Sequence, residues 1–172
     1  MKRGFTLIEV LVVIGLVAVI ATISTISLLN GRRKADLDTT VKQVASLLRE
    51  AQSNSASQSK GAQWGVHFDN TNSNAAFYSL FYSANGTYAS STSMGQYELP
   101  SDICYATSSV AVGSSTDVIF SGISGGTSAA ATITFQLMGG GGCATATSSL
   151  VAGVIRSGSG KIFFDDFNRA NL

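Results

Sequence analysis

The 172-residue chain has one proline, Pro100, one histidine, His67, one tryptophan, Trp64, and two cysteines, and only 12% of its residues are charged. Each shortage removes an option. With no proline before Pro100, nothing in that stretch forces a helix to break by removing an N–H and clashing with the turn before it. A single histidine with no nucleophile beside it in the sequence gives general-base catalysis no partner set, so a structural or surface role is expected for His67. Two distant cysteines and one histidine do not form a metal-ligand set, and no cofactor is expected. Charge this sparse, against roughly a quarter in an average protein, leaves Ser, Thr, Asn, Gly and Ala to cover the surface beyond Ser53, a composition suited to life outside the cytoplasm. The length allows one soluble domain plus one apolar segment.

Positive charge is scarce where it would matter for nucleic acid. The formal net charge of +1 conceals a gradient, because residues 61–172 hold Arg156, Lys161 and Arg169 against Asp69, Glu98, Asp102, Asp117, Asp165 and Asp166. Displacing counterions from phosphates takes clustered cations, and the one such cluster, Arg32-Arg33-Lys34, follows the apolar segment, where a membrane edge explains it. Asp165-Asp166 do not form a carboxylate pair, since neighbours on an extended backbone face opposite ways.

What the sequence does have is a long apolar run, FTLIEVLVVIGLVAVIATISTISLL from Phe5 to Leu29, whose 25 residues hold a single ionisable group. As a helix this is enough to cross a hydrocarbon core of ~30 Å. Lys2 and Arg3 before it favour a cytoplasmic N-terminus, though Arg32, Arg33 and Lys34 pull the other way. A signal peptide, a plain anchor and a retained segment behind a short leader all fit the hydropathy. Glu9 separates them: a carboxylate five residues into an apolar helix costs a few kcal/mol on insertion scales, and neither a signal peptide nor a plain anchor has a use for it. It needs a partner, and a free α-amino group at Phe5, together with the positive end of the helix, would provide one.

Lys2-Arg3-Gly4-Phe5-Thr6-Leu7-Ile8-Glu9 followed by Val10-Leu11-Val12-Val13-Ile14 resembles the class III signal of type IV prepilins and type II secretion pseudopilins. The resemblance implies cleavage by a prepilin peptidase between Gly4 and Phe5, N-methylation of Phe5, and retention of the helix first as anchor and then as filament core. It also implies that Glu9 pairs with the N-terminal amine of a neighbouring subunit and sets register. The partners implied are the peptidase, other pilin or pseudopilin subunits, an inner-membrane assembly platform and membrane lipid. Many family members carry a proline later in this helix, and this sequence does not.

Leu37, Val41, Val44, Leu48 and Ala51 recur at helical spacing, which predicts an amphipathic continuation and one helix from about Phe5 to about Ser57. The alternative is two helices broken at Asn30-Gly31. After the polar run to Gly61 the period becomes β-like, with strands expected at Trp64–Phe68, Phe77–Tyr82, Val118–Phe120, Ala131–Leu137, Leu150–Ile155 and Lys161–Phe164. Turns are expected at Asn85-Gly86, Gly125-Gly126, Gly139–Gly142 and Ser157–Gly160. The expected fold is therefore α+β, a long N-terminal helix packed on a mainly antiparallel β head. Its divisions are a leader at 1–4, a transmembrane and filament-core helix at 5–29, its amphipathic continuation at 30–57, and the head at 62–172. The order of a long helix, then Trp64 to Asp69, an aromatic strand and a closing hairpin at Gly153 to Phe164 also resembles the H-type minor pseudopilin, FimT-like branch. Members of that branch can bind DNA through basic C-terminal segments, for which this protein offers Arg156, Lys161 and Arg169.

Cys104 and Cys143 lie 39 positions apart in a part expected outside the cytoplasm, and a disulfide between them is predicted. Closing that loop would stabilise the head by roughly 3 to 4 kcal/mol. Two free thiols are the alternative. Asp69 to Asn74 carries oxygen ligands at alternating positions but lacks the central glycine and bidentate acid of a calcium loop, so a polar hairpin loop is expected. Tyr78, Phe81, Tyr82, Tyr88, Tyr97 and Tyr105 are read mainly as core, with a ligand or subunit surface as the alternative. The expected role is a non-enzymatic filament subunit, bound first in the inner membrane with its head extracytoplasmic, then in a surface or periplasmic filament. The alternative is a membrane-tethered module binding DNA or another ligand.

Overall fold

The computed structural model describes residues 6–127 and 131–138, excluding the side chains of residues 22–30. Helix α1 runs Leu7–Ala56. The absence of proline permits this, and Asn30-Gly31 does not break it. One glycine costs a helix interior about 1 kcal/mol relative to alanine, which a hydrogen-bonded ladder of 50 residues absorbs. The end is set by geometry. The Gln58 N–H bonds the carbonyl of Ser55 at 3.0 Å, tightening the last turn. Gln58, Lys60 and Gly61 then take left-handed φ values of 52°, 59° and 62°, which turn the backbone into the first strand.

The described residues fall into two compact units that divide between Ala35 and Asp36. In the first, every described side chain of α1 is exposed, including Leu7, Ile8, Leu11, Ile14, Leu16 and Ile20. Among the described residues no helix is long and apolar enough to cross a membrane. The described side chains of this apolar stretch end at residue 21, whereas the 25-residue run read from the sequence continues to Leu29.

In the second unit, strands β1 (Gln63–Asp69), β2 (Phe77–Ser83), β3 (Thr92–Glu98) and β5 (Ser115–Phe120) form an antiparallel sheet in the order β3-β2-β1-β5. Strands β4 (Ile103–Tyr105) and β6 (Phe135–Leu137) pair separately, also antiparallel. Leu37, Val41, Val44, Leu47, Leu48 and Ala51 of α1 join Trp64, Val66, Phe68, Tyr78, Leu80, Val118 and Phe120 of the sheet in one core. Ile103, Tyr105, Ile133 and Phe135 belong to the same core, where each fully buried large apolar side chain contributes about 1.5 to 3 kcal/mol. The result is the expected α+β fold, pilin-like, with a helix packed on a four-stranded antiparallel sheet.

Two polar side chains fasten helix to sheet. Ser55, fully buried, donates to the carbonyl of Phe120 at 2.5 Å, and its oxygen lies 3.5 Å from the Trp64 N–H. Gln52 donates to the Gly125 carbonyl at 2.9 Å. Both sheet faces at β1 are covered, because Trp64, Val66 and Phe68 face the core while Gly65 and His67 alternate onto the other side. Gly65 makes room there for Phe81: a Cβ at this position would stand 2.6 Å from the Val118 carbonyl oxygen and 2.9 Å from Phe81 Cζ.

Several strand expectations need correction. β3 was not expected, because Thr-Ser-Met-Gly-Gln-Tyr-Glu is an exposed edge strand with a register irregularity opposite Leu80 and Phe81, so no buried face imposes alternation on it. β4 was missed because three residues are too few to show a period. β5 begins three residues before the expected Val118, its polar start pairing with Asp69, Phe68 and His67. β6 keeps only the last three residues of Ala131–Leu137. Gly86 and Gly125 do adopt the left-handed φ expected of turns, 67° and 61°. The strands expected at 150–155 and 161–164, and the turns at 139–142 and 157–160, lie outside the described residues.

Candidate functional site

The helix start is unusual in its chemistry rather than its geometry. Thr6 accepts backbone bonds from Glu9 at 3.1 Å and Val10 at 3.3 Å, opening the helix, and Glu9 stands in its first turn. A carboxylate is favoured there by the partial positive charge of unsatisfied N–H groups. Its surroundings are apolar: Leu7 is 79% exposed and Leu11 61% exposed on the same stretch. A soluble protein rarely leaves a contiguous apolar surface of this extent without an apolar environment or partner to cover it. Gly4 and Phe5 lie outside the described residues, as do Cys143, Arg156, Lys161, Asp165, Asp166 and Arg169.

His67 sits in a constellation that sequence reasoning missed. It is buried on β1, with Nδ1 2.5 Å from Asp117 Oδ1 on β5 and Nε2 3.4 Å from Asp69 Oδ2. The Tyr88 ring stacks on the imidazole with centroids 3.6 Å apart and planes within 3°. The visible signal was the antiparallel register that sets His67 opposite Asp117, but this depends on a strand start hidden in Ser-Thr-Asp. An imidazole with a carboxylate on Nδ1 is half of a proton relay. Here the other nitrogen faces a second carboxylate, and Ser79, across β2 from His67, is spent on Tyr88 Oη at 3.4 Å. The arrangement joins β1, β5 and the loop bearing Tyr88.

Asp69 to Asn74 closes on itself as a polar loop. Asp69 Oδ1 accepts from the Thr71 N–H at 2.8 Å and from Thr71 Oγ1 at 2.5 Å, and Asn72 Oδ1 accepts from the Asn74 N–H at 3.1 Å. Burial pushes the Asp69 carboxyl up, but the two Thr71 bonds and His67 outweigh it and hold the group below its ordinary range. Buried Asn70 donates to the Val110 carbonyl at 2.9 Å and pins the loop to the head.

Cys104 is buried on β4, where Gln136 Nε2 points at its sulfur from 3.7 Å. Of the aromatic run, Tyr78, Phe81 and Tyr105 are core, as expected, while Tyr82, Tyr88 and Tyr97 are partly exposed. Tyr105 Oη donates to the Phe77 carbonyl at 2.8 Å. Lys60 Nζ lies 4.2 Å from the centre of the Tyr82 ring. Hydrogen bonds with Thr92 and then Lys60 lower the Tyr82 hydroxyl from its ordinary value.

Comparison with known proteins bears on the first of these features. Residues 1–25 match the family described as the prokaryotic N-terminal methylation motif. No curated protein and no solved structure matches the sequence. The match covers the segment holding Gly4, Phe5 and Glu9 and does not reach the head, so it gives no support to the H-type branch in particular.

Proposed function

We propose that this protein is a filament subunit of the pilin and pseudopilin class, cleaved after Gly4, methylated at Phe5, and polymerised through its N-terminal helix. The observation that carries the reading is the methylation motif at residues 1–25 placed ahead of a pilin-like fold. The apolar run from Phe5 to Leu29 anchors the newly made subunit in the inner membrane with its head outside, and the same surface is then covered by neighbouring helices. Repeating one heterologous contact without closure gives an open helix, the symmetry a filament needs.

Glu9 supplies the register. A carboxylate moved into an apolar bundle is tolerated where a cation meets it, and the Phe5 amine of the next subunit is such a cation; buried pairs of this kind specify alignment more than they stabilise. Replacing Glu9 by leucine should leave membrane insertion intact and cut incorporation into filaments, measured by shearing and immunoblotting. Wild-type incorporation of Glu9→Leu would remove this role from the residue.

Two finer readings accompany this one. The Cys104–Cys143 disulfide is supported by the low-charge, extracytoplasmic character of the head. Assignment to the H-type branch is supported by a strand, Gln63–Asp69, as the first strand after the long helix. A tethered DNA-binding module is the competing function, and its only cations in the C-terminal region are Arg156, Lys161 and Arg169. Loss of low-salt DNA binding when Arg156 and Lys161 are replaced would favour it.

A further inference from the structure

The sequence contains two Asn-Gly pairs, Asn30-Gly31 and Asn85-Gly86, and the fold treats them differently. Asn30 and Gly31 lie inside α1, where the backbone N–H of each residue is committed to a carbonyl four residues back. Asn85 and Gly86 lie between β2 and β3, in an exposed connection with Gly86 at φ 67°. Ser83 Oγ accepts from the Asn85 N–H at 3.3 Å and from the Thr87 N–H at 3.4 Å, fixing the backbone on both sides of Gly86. Residues 84 and 85 form a turn closed by the Gly86 N–H, and among the described residues no hydrogen bond engages the Asn85 side-chain amide. Glycine is favoured here by the left-handed φ of 67°, which a side chain would strain.

We propose that Asn85 is a site of spontaneous modification, deamidating through a succinimide, and that the fold directs this chemistry to Asn85 and away from Asn30. The Gly86 nitrogen attacks Asn85 Cγ and forms the new C–N bond. The bond from Cγ to Nδ2 breaks, and the amide nitrogen leaves as ammonia carrying the proton from the Gly86 N–H. Water then opens the five-membered ring. Opening at Cγ gives aspartate, and opening at the backbone carbonyl gives isoaspartate, with the former side-chain carbons now in the backbone. No oxidant or reductant takes part. The formal net charge falls from +1 to zero. The isoaspartate product lengthens the connection by a methylene group three residues before Tyr88, whose ring covers His67.

At Asn30 the same ring closure first requires the helix to open. An opening free energy of only about 1.4 kcal/mol would slow it ~10-fold.

The test uses the full-length protein purified in detergent, aged at neutral pH, digested and mapped by mass spectrometry with chromatographic separation of the isoaspartyl peptide. Fluorescence of Trp64 before and after ageing verifies that the fold persists. A second sample is aged in urea. In the folded protein the Asn85 peptide should convert at least ~10-fold faster than the Asn30 peptide, the ratio set by that opening cost, and in urea the two should converge. Equal rates in the folded protein would overturn the proposal, as would an Asn85 that reacts only in urea. Asn85→Gln should abolish the products at this position, and their persistence there would equally overturn it.

Discussion

Replacing Ser55 with alanine removes one hydroxyl at a point where α1, the start of β1 and the end of β5 meet through a buried side chain. The Ser55 hydroxyl is fully buried and donates to the Phe120 carbonyl at 2.5 Å, with the Trp64 N–H 3.5 Å from its oxygen. Alanine nearly preserves the volume, so no sizeable cavity opens. The cost comes from a carbonyl left buried without its donor, about 1 to 3 kcal/mol, within a total stability of order 5 to 15 kcal/mol. Trp64 is the sole tryptophan and is buried beside the substitution, so urea unfolding followed by its fluorescence reads the effect directly. With m near 1 to 3 kcal/mol per molar urea, the midpoint should fall by about 1 M. Ser57→Ala is the control: that hydroxyl is exposed and bonds only its own helix turn, at the Asn54 carbonyl 3.2 Å away. Its effect should stay within about 0.5 kcal/mol. If Ser55→Ala is no worse than Ser57→Ala, the helix-to-sheet bond contributes nothing and the reasoning fails.

Two further outcomes follow from the same geometry. Gln58→Gly should raise the urea midpoint by the equivalent of about 0.5 to 1 kcal/mol, since relief of the left-handed conformation exceeds the added entropy of the unfolded state; an unchanged or lower midpoint would contradict this. Burial, then the nearby Tyr97 hydroxyl, pushes the Tyr78 hydroxyl up to about 12 from 10.0, and burial likewise raises Tyr105. Because the Tyr78 folded-state value is raised, the stability it contributes is fully present below pH 10 and is lost as pH climbs from 10 toward about 12. Alkaline unfolding, read by Trp64 fluorescence, should therefore be shallower in Tyr78→Phe than in the parent, and identical curves would count against the assignment.

The helix was legible in the sequence because a run without proline and a stripe at three- and four-residue spacing both point the same way. Leu37, Val41, Val44, Leu48 and Ala51 are all buried as that stripe requires. The two central strands were legible for a related reason: β1 and β2 are covered on both faces and therefore rich in large apolar residues. β3 was hidden because an exposed edge has no interior to select its residues. Asn-Gly shows the limit of local reading. The same dipeptide continues a helix at Asn30-Gly31 and sits in a turn at Asn85-Gly86, and the surrounding sequence decides which.

The candidate site divides similarly. Glu9 stands out in sequence because one charge in an apolar run has no local explanation. The pairing of His67 with Asp117 could not be read, since the partners are 50 positions apart and meet only through strand register. His67 was expected in a structural or surface role, and it is buried, held between two carboxylates under a tyrosine ring.

The central claim concerns the junction of Gly4 and Phe5, and intact-mass and N-terminal peptide spectrometry of the protein recovered from peptidase-competent cells tests it most directly. The predicted product begins at Phe5 and carries an N-methyl group. A product that still begins at Met1 in those cells would contradict the claim.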